Sequence, residues 1–293
     1  MRETRRRLGA FASLIAIVML EATQCAPPPP RSAPARLPTP LPKVQPCPPE
    51  MAEVALPSAG AGSARPSHSG ASSAFCIDRY EASIARRSAA GTLSDWPSNQ
   101  PVDGSEAEIV AVCRAGRKPQ GYISGAQAEL ACERANKRLC SAEEWVTACR
   151  GPQHTRYPYG DVRRASVCND RFGRATDHPV ARLFKASAVR GQSSRKMWTP
   201  SFMNDPRLLE LPDTVAASGA FPGCTNEYGA FDMVGNLHEW VADRQGSFLG
   251  GYFMDTLRNG EGCAYRTTAH AFGYHDYSTG FRCCADAASA TVP

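Results

Sequence analysis

Twelve cysteines in a chain of 293 residues constrain this sequence more than any other feature. A cytosolic protein rarely keeps so many thiols unless they hold metal, and the paired Cys-x2-Cys spacing of zinc sites is missing here. The cysteines therefore predict an oxidising compartment and a fold cross-linked by disulfides. The remaining composition is that of an ordinary globular protein, 42% hydrophobic and 21% charged. The net charge of +5 is partly a property of the leader, where Arg2, Arg5, Arg6 and Arg7 stand against Glu3 and Glu21. No Lys/Arg run occurs beyond it, so no nucleic-acid partner is expected.

Residues 1–25 read as a signal peptide: a basic start, then an apolar run from Leu8 to Leu20 that is too short to span a bilayer comfortably. The run ends at Ala22-Thr23-Gln24-Cys25 and meets prolines at once. A cysteine at that point predicts lipoprotein processing, with a lipid on Cys25 tethering the protein to a membrane of the periplasm or cell envelope. Gln24 departs from the small residue usual before such a cysteine, and simple secretion or a retained anchor stay open. Arg5-Arg6 hints at twin-arginine export, but that route would require a disulfide-rich domain to fold reduced.

Residues 26–46 read as a Pro/Ala/Ser-rich tether, extended and with little to bury. A domain is expected over residues 47–288, with a flexible insertion at 58–73 and a tail at 289–293. Two helices are legible within it. Ser124 with Gln127, and Ser141 with Glu144, form capping-box signatures. Ala128, Ala131, Cys132 and Ala135 follow the first at the spacing of one helix face, which Asn136-Lys137 closes. Trp145, Ala148 and Cys149 follow the second. Each helix thus points a cysteine toward the core. Elsewhere Gly, Pro and Asn predict short elements and much irregular backbone.

Six segments in order resemble the formylglycine-generating enzyme, or sulfatase-modifying factor, family. They are Phe75-Cys76-Ile77-Asp78-Arg79-Tyr80-Glu81, the stretch Tyr122 to Leu139, the helix Cys140 to Gly151, Tyr157-Pro158-Tyr159-Gly160, the run Tyr228 to Trp240, and Gly280-Phe281-Arg282-Cys283. Cys47 to Val54 is read as a ragged first strand. The resemblance implies an α+β fold: a single compact domain related to C-type lectins, with short elements and much irregular structure.

The enzymes of this family oxidise a substrate cysteine to formylglycine with copper(I) held by two thiolates, the second five residues beyond the first. Soft sulfur ligands suit that ion. Here Gly250-Gly251-Tyr252-Phe253-Met254 leads to Asp255, and five residues on stands Gly260. A carboxylate and a glycine do not make a thiolate pair, so copper is not expected. The resemblance also implies disulfides Cys132–Cys283 and Cys149–Cys263. Cys76, Cys113, Cys140, Cys168, Cys224 and Cys284 could then form up to three further bridges of undetermined connectivity. Cys47 is left over if Cys25 is acylated, as a free thiol or through a rearranged pairing.

The resemblance further implies a calcium site, with carboxylates from Asp232 and Glu239 and backbone carbonyls from Gly235 and Leu237; Asn169 opens a second one. Hard oxygen donors on a tight loop are what calcium needs. A turn held by hydrogen bonds alone is the alternative. His238, His270 and His275 are read as hydrogen-bonding side chains rather than a metal site. Tyr265, Tyr274, Tyr277 and Trp240 would line a peptide or glycan groove or simply pack. The expected function is a binding or accessory module in the cell envelope with a peptide, protein or glycan partner. The alternative is a formylglycine-type oxidase or a divergent enzyme in the same cleft.

Overall fold

The computed structural model describes residues 46–56, 74–171, 178–184 and 198–288. The leader with Cys25, the tether up to residue 45, the insertion expected at 58–73 and the tail lie outside the described residues.

The stretch after Cys47 is a strand, β1 (Met51–Ala55), which buries Met51, Ala52 and Val54. It pairs antiparallel with β2 (Ala74–Asp78), Met51 standing opposite Asp78. A second sheet has β3 (Ala82–Arg87) between β4 (Leu93–Asp95) and β5 (Ile109–Cys113). The capping boxes then set two helices. At α1 (Gly125–Arg134), Ser124 Oγ accepts from the Gln127 N–H at 3.3 Å and Gln127 Oε1 accepts from the Ser124 N–H at 3.0 Å. After a two-residue strand β6 (Arg138–Leu139), Ser141 and Glu144 repeat the arrangement at α2 (Ala142–Arg150), at 3.1 and 2.9 Å. Each pair satisfies two amide donors that the first helical turn would otherwise leave open.

Two short helices, α3 (Pro179–Phe184) and α4 (Pro200–Met203), both begin on proline, whose missing N–H costs nothing there. The third sheet runs in the order β10-β7-β8-β9, from β7 (His238–Trp240), β8 (Phe248–Leu249), β9 (Arg266–Thr267) and β10 (Thr279–Phe281). Its β7–β10 pair is parallel, matching His238 with Thr279 and Trp240 with Phe281. The last strand, β11 (Cys283–Asp286), returns beside β2 and β6 and completes the first sheet as β1-β2-β11-β6.

Alternation along β11 explains the vicinal cysteines. Successive strand residues face opposite sides, so Cys283 reaches Cys132 on α1 while Cys284 reaches Cys140 ahead of α2. Cys149 on α2 is bonded to Cys263, and Cys168 to Cys224. Cys47 is not left over: it is bonded to Cys76, and Cys113 is the free cysteine among the described residues. The cause is local. The Ala288 N–H, just beyond β11, donates to Pro46 O at 2.9 Å, which holds the chain before β1 against the end of the strand that pairs with β2. Cys113 instead lies at the end of β5 with its Sγ 3.3 Å from Glu50 O, and burial pushes its thiol up to about 12.

Trp145, Ala148 and Cys149 of α2 pack with Ile77, Met233, Val234 and Leu249. Ala128, Ala131 and Cys132 of α1 pack with Ile84, Ile109, Trp240, Phe248 and Phe281. A third apolar cluster joins Tyr122, Val180, Leu208, Leu237, Phe253 and Tyr277 around the side of the third sheet.

Candidate functional site

The loop entering β7 is held by a buried polar network. Asp232 and Asn236 have left-handed backbones, with φ of 58° and 54°, and between them Gly235 (φ 86°) has no room for a side chain: a Cβ there would meet Asn169 O at 2.3 Å. Asn236 Oδ1 accepts from Asn169 Nδ2 and from the Ala216 N–H, each at 2.9 Å. Glu81 caps the loop, accepting from the Leu237 N–H at 3.1 Å and from Asn236 Nδ2. Burial raises the Glu81 carboxyl well above its ordinary value, and neighbouring Asp232 and Glu239 raise it further. Asp232 accepts from the Gly219 N–H at 2.6 Å and is pushed up to about 6, chiefly by burial.

In this arrangement the side chains expected to bind calcium already have protein partners. Both Glu239 oxygens are committed, Oε2 to Arg282 Nε at 2.6 Å and Trp145 Nε1 at 2.7 Å, and Oε1 to Arg282 Nη2 at 2.6 Å. The guanidinium sets one positive charge beside the buried carboxylates of Glu239, Glu81 and Asp232. The Asn169 carbonyl accepts from the Asn236 N–H at 2.9 Å and its amide nitrogen donates to Thr214 O at 2.9 Å. Among the described residues no three His, Cys, Asp or Glu side chains gather as a metal-holding group. The loop carrying Asp232, Gly235, Leu237 and Glu239 is held by hydrogen bonds and a buried ion pair. Glu81 and Arg282, unassigned by sequence reasoning, are the charged residues that organise it.

The positions of the family's thiolates have structural duties here. Gly250 and Gly251 turn the chain after β8, and Tyr252 bridges to Asp255. Asp255 is buried, and its Oδ1 accepts from the N–H groups of Leu257 and Arg258 at 3.0 and 3.1 Å. Tyr265 Oη donates to its Oδ2 at 3.4 Å. At Gly260 (φ 109°) a Cβ would lie 2.4 Å from Ala264 O, so the backbone leaves no space for a thiol. Cys263, which could slide toward the site in an alignment, is committed to Cys149.

Around this turn lies an aromatic group. The buried His238 ring contacts Phe248 at 4.5 Å, Tyr252 at 4.8 Å and Tyr265 at 5.5 Å between centroids. Its Nδ1 has no hydrogen-bond partner among the described residues, and burial holds the imidazole down to about 3, so the ring is neutral. His270 stacks on Tyr274 at 3.9 Å and on the other side of this group against Phe248 at 5.7 Å. His275 is elsewhere, with Nδ1 2.8 Å from Asn204 Oδ1 and Nε2 3.4 Å from Asp103. The three histidines therefore do not assemble. Trp240 is a packing residue that donates to Ile123 O at 2.9 Å, and Tyr265 and Tyr277 are buried. A separate cavity of about 520 Å³ lies between α2 and residues 263–266, walled by Ala142, Val146, Leu249 and Ala264 and sharing no residue with the His238 group.

The family model described as "Sulfatase-modifying factor enzyme 1-like domain" matches residues 44–287. A curated relative, the Bos taurus "Inactive C-alpha-formylglycine-generating enzyme 2", is 24% identical over 180 residues, covering 58% of this chain. The chain spans about half the length of that relative, 50%. Among solved structures, CarF is 17% identical with a TM-score of 0.40, over 80% of this chain and 97% of that one. Treponema denticola variable protein 1 is 13% identical with a TM-score of 0.46, over 80% of this chain and 94% of that one. With its α+β architecture and a family match that runs from ahead of β1 to the end of β11, the chain belongs to the sulfatase-modifying factor enzyme 1-like domain family.

Proposed function

We propose that this chain is an exported binding or accessory module of the cell envelope that does not use the family's copper-thiolate oxidation. One observation carries the reading: Asp255 caps the amides of Leu257 and Arg258, and Gly260 has no room for a side chain. A thiolate pair has no place in such a turn, and the cysteine nearest to it in sequence, Cys263, is in a disulfide. The word "inactive" in the name of the bovine relative agrees with this reading. Five disulfides among the described residues suit an oxidising compartment, and the leader ending at Cys25 adds a lipid tether. The partner is a peptide, protein or glycan.

The test is direct. The purified protein is incubated with copper(I), oxygen and a Cys-x-Pro-x-Arg peptide, and the peptide is weighed by mass spectrometry. The expected result is no formylglycine above a protein-free control. Conversion above that control overturns the reading. The tether is tested separately by detergent partitioning, where Cys25→Ser should move the protein from the detergent to the aqueous phase.

A further inference from the structure

The cavity beside α2 has two walls that one disulfide holds together. The first wall is a face of the helix: Ala142, Val146 and Arg150 follow at intervals of four, with Glu143 and Thr147 beside them, and all five border the space. The core-facing side of the same helix carries Trp145, Ala148 and Cys149. The second wall is Leu249 of β8 with Cys263, Ala264 and Arg266, where the turn at Gly262–Ala264 leads into β9. The Cys149–Cys263 bridge fixes one wall against the other. Alanines on both sides keep the space open, and its volume of about 520 Å³ is that of a small-molecule site.

Arg150 is the unmet group of this cavity. It is half-buried, and its guanidinium makes no hydrogen bond or ion pair among the described residues. Its Nε is shut off from solvent with no acceptor. A buried donor in that state destabilises the chain unless an acceptor is supplied to the group. The neighbouring arginines are engaged. Arg266 contacts Ser247 Oγ at 3.2 Å and Asp243 at 3.3 Å, and Arg156 is paired with Glu261 at 3.1 Å. Arg150 is thus the guanidinium bordering the cavity that lacks a counter-charge. Glu143 borders the same space from the first turn of the helix, about 10 Å further along its axis.

We propose that this cavity binds a monocarboxylate carried on an aliphatic chain, either a free acid or the terminal residue of a peptide. The carboxylate meets Arg150, whose planar fork matches its two oxygens, and one unpaired guanidinium matches one negative charge. The aliphatic chain lies between Ala142 and Val146 on one side and Leu249 and Ala264 on the other, where its burial removes apolar surface from water on both walls. Glu143 disfavours a second negative charge at the far end, so the site discriminates against dicarboxylates. The cavity shares no residue with the turn of Asp255 and Gly260. The inference therefore goes beyond the reading drawn from that turn.

The full chain is titrated calorimetrically with octanoate, octanamide, suberate and N-acetylleucine. Octanoate or N-acetylleucine should bind saturably, and the tighter of the two identifies the source of the carboxylate. Octanamide should bind roughly tenfold more weakly than octanoate, as expected for loss of a charge-assisted contact, and suberate should also be weaker. Arg150→Gln should weaken the carboxylate by a similar factor, and Arg150→Lys, which keeps the charge without the fork, by less. Ala264→Trp fills the space from an exposed position and should abolish binding. Unfolding midpoints are reported alongside so that a misfolded variant is recognised. No saturable binding of either carboxylate up to about 10 mM, equal binding of octanoate and octanamide, or wild-type affinity in Arg150→Gln or in Ala264→Trp would overturn the site. Suberate binding as tightly as octanoate would overturn the part given to Glu143. These failures leave the module reading standing, because that reading falls only if formylglycine is formed.

Discussion

Arg282 and Glu239 face each other through two 2.6 Å hydrogen bonds, with side chains 0% and 1% exposed. The pair ties the residue after β10 to the middle of β7. Arg282 also donates to Asp78 O at 3.0 Å and Phe231 O at 2.8 Å, so one guanidinium holds three parts of the chain. Removing one partner leaves the other as an uncompensated buried charge. Arg282→Met should therefore cost roughly 3–5 kcal/mol of unfolding free energy, measured by urea denaturation. Calcium should not restore the loss. A variant that regained wild-type stability on adding calcium would show that Asp232 and Glu239 can take a cation once the arginine is gone.

Asp255 should behave as a capping residue. Asparagine keeps an oxygen for the N–H groups of Leu257 and Arg258, and alanine does not. Asp255→Asn is expected within about 0.5 kcal/mol of wild type and Asp255→Ala about 1–2 kcal/mol less stable. Urea unfolding of the three proteins distinguishes this from a charge requirement, in which asparagine would cost as much as alanine.

The disulfides make a separate expectation. Cys132–Cys283 and Cys149–Cys263 close loops of 151 and 114 residues. In the chain-entropy account a loop of that length is worth roughly 4–5 kcal/mol. The double variant Cys149→Ala/Cys263→Ala should lose a large part of that, less whatever the other bridges already impose on the unfolded chain. Peptide mapping of the non-reduced protein should recover five pairs and find Cys113 unpaired. Alkylation of Cys113 should be slow until the protein unfolds, because its thiol is buried and its pKa raised.

The two helices were legible because their signals are local: Ser124 with Gln127 and Ser141 with Glu144 lie within one turn, and the cysteine faces follow at helical spacing. The strands β6, β8 and β9 were not, since two residues carry no period to read. Asp255 could be placed by resemblance, but its use of both oxygens inside the turn is a property of loop geometry. Glu81 gave no signal at all. Its partners are Asn236 and Leu237, more than 150 residues away, and a buried glutamate looks like any other in sequence. The hydrogen bond between His178 and Tyr277 likewise joins two distant segments. Cys47 illustrates the opposite difficulty: its pairing with Cys76 depends on a strand register that counting cysteines does not supply.

Acid stability should report the state of His178. Burial, with the Arg258 charge adding, holds its imidazole down to about 4, against 6.5 in the unfolded chain. Between those values the unfolded state binds more protons, so stability rises with pH through this window and is lost as the pH falls. Asp232 acts in the opposite sense: its raised carboxyl, at about 6, makes the folded state the better proton binder between its ordinary range and that value. His238 acts in the same sense as His178 and over a wider range. A comparison with His178→Gln removes one contribution and leaves the others in place. Because the His178 ring is partly exposed, its share is discounted: on lowering the pH from 7 to 4.5, wild type should lose roughly 1–2 kcal/mol more than the variant. Urea unfolding at a series of pH values checks it. Parallel profiles would mean that the folded ring titrates as freely as the unfolded one.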